Sequence, residues 1–161
     1  MTLAEYNKCV DDYADRLYRF VVKNVQREED SKDIVQESFA RLWSKIEEVS
    51  AEKVKSYLFT TAYHTMIDMF RKEKRKADYN EELQDNLTCS GNYSDLNEIL
   101  NEAVNKLPEI QRMVILLRDY EGYSYEEIAQ IANLNESQVK VYIYRGRMSL
   151  KKYIGSIESV I

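Results

Sequence analysis

The sequence predicts an all-α protein of two small helical domains joined by a flexible acidic linker, the second of them a helix-turn-helix domain. Only 4 glycines and 1 proline occur among 161 residues, too few for the many turns of β-sandwiches and barrels. Apolar residues instead recur at alternating spacings of three and four, the period of amphipathic helices. Residues 77–93 break this pattern with four acidic residues and no basic residue. They therefore separate a domain at 1–76 from a domain at 94–161.

Composition and charge exclude several classes of protein. The net charge of −5, from 23 basic and 28 acidic residues, excludes a uniformly basic nucleic-acid coat but not local basic patches. The longest apolar run, Met113–Leu117, is far shorter than the ~18 residues that cross a bilayer. Two cysteines in no ligand-like spacing fit a reduced cytoplasm. Because there is one histidine and no phosphate loop, metal-ligand cluster or nucleophile motif, we expect no enzyme, no metal and no cofactor.

Three amphipathic helices account for the first domain. The apolar face of the first helix consists of Leu3, Tyr6, Val10, Tyr13, Leu17 and Phe20. We expect Ser31 to cap the second helix. The apolar residues of that helix are Ile34, Val35, Phe39, Leu42, Trp43 and Ile46. A third helix begins near Val54 and ends in the basic run 71–76.

Capping signals divide the second domain into four helices. A side-chain oxygen with Glu or Gln three residues later forms a capping signature in three pairs: Asp95 with Glu98, Ser124 with Glu127, and Asn135 with Gln138. Pro108 suits the start of a helix, and Gly122 suits a left-handed helix end. The buried face of the last helix is predicted to be Val139, Ile143, Gly146, Leu150 and Ile154.

Residues 124–148 have the pattern of a helix-turn-helix. Two helices flank a tight turn at 133–136, small Ala129 lies where they approach, and Asn133 replaces the usual turn glycine. The stretch 136–152 carries five basic residues and one acidic residue in a chain that is acidic overall. Such charge on one helix face is typical of a major-groove reader. A helical hairpin with a solvated basic end is the alternative.

Two further stretches have both a functional and a structural interpretation. The third helix carries aromatic residues before its basic end, so it could stack unpaired bases and hold phosphates, or its aromatic residues could be core. Residues 33–43 have sharply divided apolar and acidic faces. Trp43 there is either an anchor of an interaction patch or a core residue.

These pieces, in this order, resemble the extracytoplasmic-function (ECF) sigma factors. The run DIVQESFARLW at 33–43 resembles their region two, as does YLFTTA at 57–62 followed by Ile67-Asp68 and the basic run. Region four is matched by Leu107-Pro108-Glu109 with Arg112, by EGYSYEEIA at 121–129, and by Val139-Lys140 through Arg145-Gly146-Arg147. The resemblance covers nearly the whole chain except the linker.

The resemblance implies a dissociable promoter-specificity subunit of bacterial RNA polymerase, acting at stress- or signal-responsive promoters in the cytoplasm. Its implied partners are the RNA polymerase core enzyme, promoter DNA and an anti-sigma factor, with no small-molecule substrate. Domain 1–76 would be region two, which docks on the core and recognises and melts the minus-ten element. Domain 94–161 would be region four, which recognises the minus-thirty-five element. A stand-alone helix-turn-helix regulator is the alternative, and the region-two signature argues against it.

Three groups of site residues follow from the resemblance. Core binding is assigned to Asp33, Gln36, Glu37 and Trp43. Contact with the minus-ten element is assigned to Tyr63, His64, Arg71, Lys72, Lys74 and Arg75. Contact with the minus-thirty-five element is assigned to Lys140, Val141, Tyr144, Arg145 and Arg147. Tyr63 and His64 stand where the family usually has Arg-Asn, so minus-ten specificity cannot be copied from other members.

The acidic linker has two interpretations. In related factors this segment threads the channel through which nascent RNA leaves, and that channel must be basic to hold phosphates. An acidic strand can therefore occupy it as an RNA mimic until the transcript displaces it. A merely soluble tether is the alternative, because acidic linkers are common.

Overall fold

Caps and apolar faces organise the described part of the chain, residues 1–79 and 96–158 of a computed structural model, into helices. The first half contains α1 (Leu3–Val25), α2 (Glu28–Ser44) and α3 (Val54–Tyr79), with a 3-10 turn at Ala51–Lys53. The second half contains α4 (Leu96–Asn105), α5 (Glu109–Ile115), α6 (Tyr125–Ala132) and α7 (Glu136–Glu158). A π-helical segment, Leu116–Tyr120, continues α5. The prediction of an all-α fold is confirmed.

Several predicted caps are present. Ser124 accepts from the Glu127 amide at 3.1 Å while the Glu127 side chain accepts from the Ser124 amide at 3.0 Å. Asn135 and Gln138 form the same reciprocal pair at 2.7 and 3.0 Å. Asn133 adopts the left-handed conformation at φ 57°, as predicted for the turn between α6 and α7. Each of these signals involves residues no more than three positions apart, so the local sequence is sufficient to form them.

Gly122 likewise adopts the predicted left-handed conformation, at φ 76°. This residue ends the helical stretch that α5 begins. Asp95 of the first predicted box, and Glu81, Glu82 and Asp85 of the linker, lie outside the described residues.

The prediction that Ser31 caps α2 is wrong. The helix begins at Glu28 with Arg27 at the N-cap, and Ser31 lies within its first turns. Its hydroxyl donates to the Arg27 carbonyl oxygen at 2.6 Å. The acidic residues at 28–30 favour an earlier start, because negative charge stabilises the first turn of a helix. Helix α3 also runs to Tyr79, past the expected linker start at 77.

Apolar faces bring the helices of each half together. Helix α1 packs on α2 and α3, and α2 packs on α3. In the second half, α4, α5 and α6 all pack on α7. The closest approach is at Gly146 of α7, where an added Cβ would overlap Ile115 Cδ1 and lie 3.2 Å from its Cγ1. Gly146 therefore allows α7 to pack closely on α5. The opposite face of α7 is directed outward.

The two halves also pack against each other, which the sequence analysis did not predict. Helix α3 packs on α6, and α1 contacts α4 and α5. The buried residues of both halves form one apolar cluster. At its centre, the rings of Phe59 and Tyr123 lie 5.3 Å apart, edge to face. Among the described helices, none has the length and apolar content required to cross a membrane.

Candidate nucleic-acid and polymerase interfaces

Helix α7 presents the clearest candidate surface for DNA. Val139, Ile143 and Gly146 are buried, which fixes the rotation of the helix. The opposite face exposes all the residues predicted to contact the minus-thirty-five element: Lys140, Val141, Tyr144, Arg145 and Arg147. This face combines cations with apolar groups. Arginine and lysine can donate to guanine and phosphate, and apolar side chains can contact thymine methyl groups.

Met148 also belongs to this face, although it was not among the residues predicted to contact DNA. Met148 is 49% exposed and lies one turn beyond Tyr144, which is 66% exposed. With Val141 they form an apolar stripe at spacings of three and four along α7. That spacing was the available signal, but it did not distinguish an exposed stripe from a buried one.

Arg147 of this face is paired with an acidic side chain. Its Nη2 donates to Asp119 Oδ1 at 2.6 Å. This hydrogen bond raises the pKa of the Arg147 guanidinium. Asp119 belongs to the π-helical segment, so the pair links the segment to α7. Arg147 is thereby held in one orientation, and part of its charge is neutralised.

Helix α3 separates the two residues that replace Arg-Asn. Tyr63 is only 3% exposed, whereas its neighbour His64 is exposed. Their rings meet edge to face at 5.3 Å. Burial, with the nearby Tyr142 of α7 as a smaller influence, raises the pKa of the Tyr63 hydroxyl. In this arrangement His64 is accessible to a DNA strand and Tyr63 is not.

The basic end of α3 is exposed. It carries the remaining residues predicted to contact the minus-ten element: Arg71, Lys72, Lys74 and Arg75. Glu73 among them is paired with Arg27 at the start of α2. This ion pair links the basic end of α3 to the start of α2 and leaves the neighbouring cations available for phosphates.

Helix α2 exposes the residues predicted to bind core polymerase. Asp33, Gln36 and Glu37 lie on its outer face, and Glu37 Oε1 accepts from Arg41 at 2.7 Å. Trp43 is 49% exposed, so it is not a core residue. A groove between α2 and α3 adjoins this face, with Asp30, Asp33, Glu37 and Asp68 among its lining residues.

Tyr6 supports Trp43, a role that the sequence analysis did not assign. The two rings meet edge to face at 5.0 Å. The Tyr6 hydroxyl donates to the Phe39 carbonyl oxygen at 3.2 Å, which anchors α1 to α2. Because Tyr6 and Trp43 are far apart in sequence, only the packing of α1 on α2 brings them together.

The described residues contain no group of three or more His, Cys, Asp or Glu placed to hold a metal ion.

Comparison with known families matches both halves of the chain. The Sigma-70 region 2 family matches residues 9–76, and the Sigma-70, region 4 family matches residues 97–150. These matches include α3 with its basic end and the helix-turn-helix of α6 and α7.

Individual proteins match over most of their length. The chain is 34% identical to the RNA polymerase sigma factor SigV of Bacillus subtilis over 85% of this chain and 83% of that protein. It is 27% identical to the ECF RNA polymerase sigma factor SigM of the same organism, over 86% of this chain and 88% of that protein. Among solved structures, the sigma factor RpoE, in complex with the anti-sigma factor NepR from Bartonella quintana, has the same fold. Its TM-score is 0.80 at 20% identity, over 95% of this chain and 98% of that one.

The two matched regions favour a polymerase subunit over a stand-alone DNA-binding regulator or an enzyme. A stand-alone regulator requires a helix-turn-helix but no region two. The match to SigV is extensive enough to establish the family, and the two regions occur in the expected order. The chain therefore belongs to the extracytoplasmic-function sigma factors and is a promoter-specificity subunit of bacterial RNA polymerase.

Proposed function

We propose that three exposed surfaces divide the work of initiation between the two domains. The outer face of α2 with Trp43 docks on core polymerase. The accessible side of α3 holds the minus-ten element, and the exposed face of α7 reads the minus-thirty-five element. Domain 1–76 thus serves as region two and domain 94–161 as region four. The observation that carries this assignment is the exposed face of α7, which is rich in lysine and arginine although the chain is acidic overall.

Duplex reading by α7 rests on its mixture of cations and apolar groups. Arg145 is exposed on a helix that is buried only on its opposite side. A good base contact contributes about 1–3 kcal/mol of discrimination. Val141 and Tyr144 supply apolar surface for thymine methyl groups, and Lys140 supplies a phosphate contact.

Capture of the minus-ten strand rests on His64 and the basic end of α3. An exposed imidazole provides a face on which an unpaired base can stack, and neighbouring cations can hold its phosphates. Tyr63 contributes a second stacking face only after a rearrangement that exposes its ring, which is buried here with Tyr142 of α7 nearby.

Docking on core polymerase rests on the carboxylates and the aromatic anchor of α2. Exposed aromatic side chains that are held in one orientation are typical anchors of protein interfaces. Trp43 meets this description because Tyr6 supports its ring. Asp33 and Glu37 would steer a basic partner surface onto the same face.

The acidic segment 77–93 is proposed to lie in the RNA exit channel of core polymerase as an RNA mimic, with a simple tether as the alternative. An anti-sigma factor is a further proposed partner. Two solved structures of similar fold are described as complexes of this kind: RpoE with the anti-sigma factor NepR, and CnrH with the cytosolic domain of CnrY. A cytoplasmic location and control of stress- or signal-responsive promoters fit the same proposal.

Reconstitution with core polymerase tests the division of labour. Run-off transcription from a cognate promoter should require the full chain. Arg145→Ala should lose promoter discrimination but retain core binding, whereas Glu37→Lys should lose core binding. A chain that binds DNA as a dimer on a palindrome and ignores core polymerase would be a stand-alone regulator, and the proposal would be wrong.

A further inference from the structure

We propose that the free chain latches itself closed through Glu121, and that this contact between domains must open before both promoter elements can be engaged. The proposal rests on the assignment of α3 and α7 to the two elements. It concerns a surface of region four that faces region two and is separate from the three interfaces described above.

Glu121 is the centre of the latch. It lies after the π-helical segment of domain two, and its side chain is 1% exposed. Arg16 Nε and Arg19 Nη2, both from α1 of domain one, lie 3.4 and 3.3 Å from its carboxylate oxygens. Arg16 Nη2 also donates to the Glu121 carbonyl oxygen at 3.4 Å. Among the described residues, the ion-pair partners of this buried carboxylate of domain two thus come from domain one.

Arg112 forms a second polar contact across the interface. This side chain of α5 is buried, and its Nε donates to Asn24 Oδ1 of α1 at 3.0 Å. Its guanidinium lies 5.6 Å from the centre of the Phe70 ring of α3. Charged groups of both signs in domain two thus contact domain one: Glu121 meets two arginines of α1, and Arg112 meets Asn24 of α1 and Phe70 of α3.

The apolar part of the interface is centred on Tyr123. Its ring packs edge to face on Phe59, and Lys55 Nζ lies 4.3 Å from its centre. Its buried hydroxyl has no hydrogen-bond partner among the described residues. Water would solvate this hydroxyl, as well as Glu121 and Arg112, when the domains separate. An interface with this polar content is suited to opening, because interfaces between domains that move are more polar than permanent ones.

The closed arrangement cannot bridge a promoter. The centres of the minus-ten and minus-thirty-five elements are about 25 base pairs apart, or roughly 85 Å at ~3.4 Å per pair. A compact body of this chain length is only about 40 Å across, from a radius of gyration of ~15 Å. Tyr63 is also buried in this state, with Tyr142 of α7 nearby. The segment 80–95 spans roughly 55 Å when fully extended at ~3.5 Å per residue, which is enough to let the domains separate.

Glu121→Gln is the test variant, since it keeps the shape of the side chain but removes the charge that holds Arg16 and Arg19. Glu28→Gln is the matched control. Glu28 forms an exposed ion pair with Lys32 inside α2, with Oε1 and Nζ 3.0 Å apart. It lies in no proposed interface. The double change of Arg16 and Arg19 to Gln opens the same latch from domain one, and circular dichroism verifies that each full-length variant is folded.

Small-angle X-ray scattering of the free chain measures the opening. We expect a radius of gyration near 15 Å for the unaltered chain and for Glu28→Gln. The two latch variants should both give a larger value. A folded Glu121→Gln and a folded double arginine variant that both scatter like the control would overturn the proposal.

DNA binding by the free chain provides the second measurement. On DNA carrying both elements, with the minus-ten region single-stranded, the latch variants should bind about five- to tenfold more tightly than the unaltered chain. On a duplex with the minus-thirty-five element alone they should differ less than about twofold, because α7 is already exposed. Equal gains on both DNAs would indicate a simple charge effect and refute the latch.

Run-off transcription distinguishes failure of the latch from failure of the assigned surfaces. Suppose that the unaltered chain directs promoter-specific transcription with core polymerase, while the latch variants match Glu28→Gln in scattering and in DNA binding. In that case only the latch is wrong. If the unaltered chain directs none, the assignment of the surfaces is wrong whatever the scattering shows.

Discussion

Gly146→Ala should destabilise the protein although alanine is the better helix former. The new methyl group would overlap Ile115 Cδ1 and lie 3.2 Å from its Cγ1 and 3.7 Å from Gln111 Cβ. Ile115 is 1% exposed, so its side chain has little space into which to move. Overpacking of this kind costs about 1–3 kcal/mol, and replacing a helical glycine by alanine returns about 1 kcal/mol. We therefore expect a net loss of up to about 2 kcal/mol in the free energy of unfolding.

Gly155→Ala is the matched control in the same helix. A Cβ at this position meets nothing within 4 Å. The change should therefore leave stability unaltered or increase it by up to about 1 kcal/mol. Urea denaturation followed by helical circular dichroism measures both variants. The reasoning fails if the two variants have the same stability.

Ile115→Val supplies a sharper test because it removes the Cδ1 atom with which the new methyl group would overlap. Alone, this change should cost about 0.5–1.5 kcal/mol by leaving a small cavity. When Ile115→Val is added to the Gly146→Ala variant, it should cost no further stability or should restore some of it. The reason is that the alanine methyl group fills the space left by Cδ1. The coupling energy should be about 1 kcal/mol or more, and strictly additive effects would contradict the overlap.

Five further changes probe the assigned surfaces. Arg145→Ala should weaken discrimination of the cognate promoter by about 1–3 kcal/mol, measured by competition footprinting with reconstituted holoenzyme. Glu37→Lys should abolish core binding in a pull-down while helical circular dichroism stays unchanged, because the residue is exposed. His64→Ala should reduce permanganate reactivity of unpaired thymines in the open complex, whereas Tyr63→Ala should chiefly lower the melting temperature, because its ring is buried. Replacing the acids of 77–93 with amides should weaken holoenzyme assembly, most at low salt where charge attraction is least screened.

For four of these changes, a specific result would contradict the prediction. Unchanged promoter discrimination would remove Arg145 from the DNA surface, and unfolding by Glu37→Lys would make that residue structural. Normal open complexes with His64→Ala would return the histidine to a passive surface position. The amide replacements in 77–93 could leave core affinity, its salt dependence and the ratio of abortive to full-length transcripts all unchanged. That result would show that the segment is a simple tether.

Local signals in the sequence predicted local structure well. The pairs Ser124–Glu127 and Asn135–Gln138 form as expected because each requires only a few neighbouring residues. Ser31 was the exception, since its hydroxyl can also bond the carbonyl oxygen four residues before it inside a helix. The sequence contained both options, and the acidic residues ahead of Ser31 decided between them.

Contacts between the domains could not be predicted in the same way. Helical spacing places Tyr63 on one face of α3 but does not say whether solvent or domain two covers that face. Arg112 and Glu121 flank the apolar run at 113–117, and a charge close to such a run was the only available sign of burial. Their partners Asn24 and Arg16 lie about one hundred positions away, so no spacing rule connects them.

The pairing of Arg147 with Asp119 affects how the subunit behaves amid a whole chromosome. A phosphate that approaches Arg147 meets a guanidinium whose charge the Asp119 carboxylate already partly neutralises, and that carboxylate repels the same phosphate. Each phosphate contact usually releases about one counterion from the DNA, which favours binding. The Asp119 carboxylate offsets part of this favourable free energy. Genomic DNA offers ~10⁶ or more competing non-specific sites, and these sites therefore bind less of the free subunit. More of the subunit therefore remains available to core polymerase at a given cellular concentration.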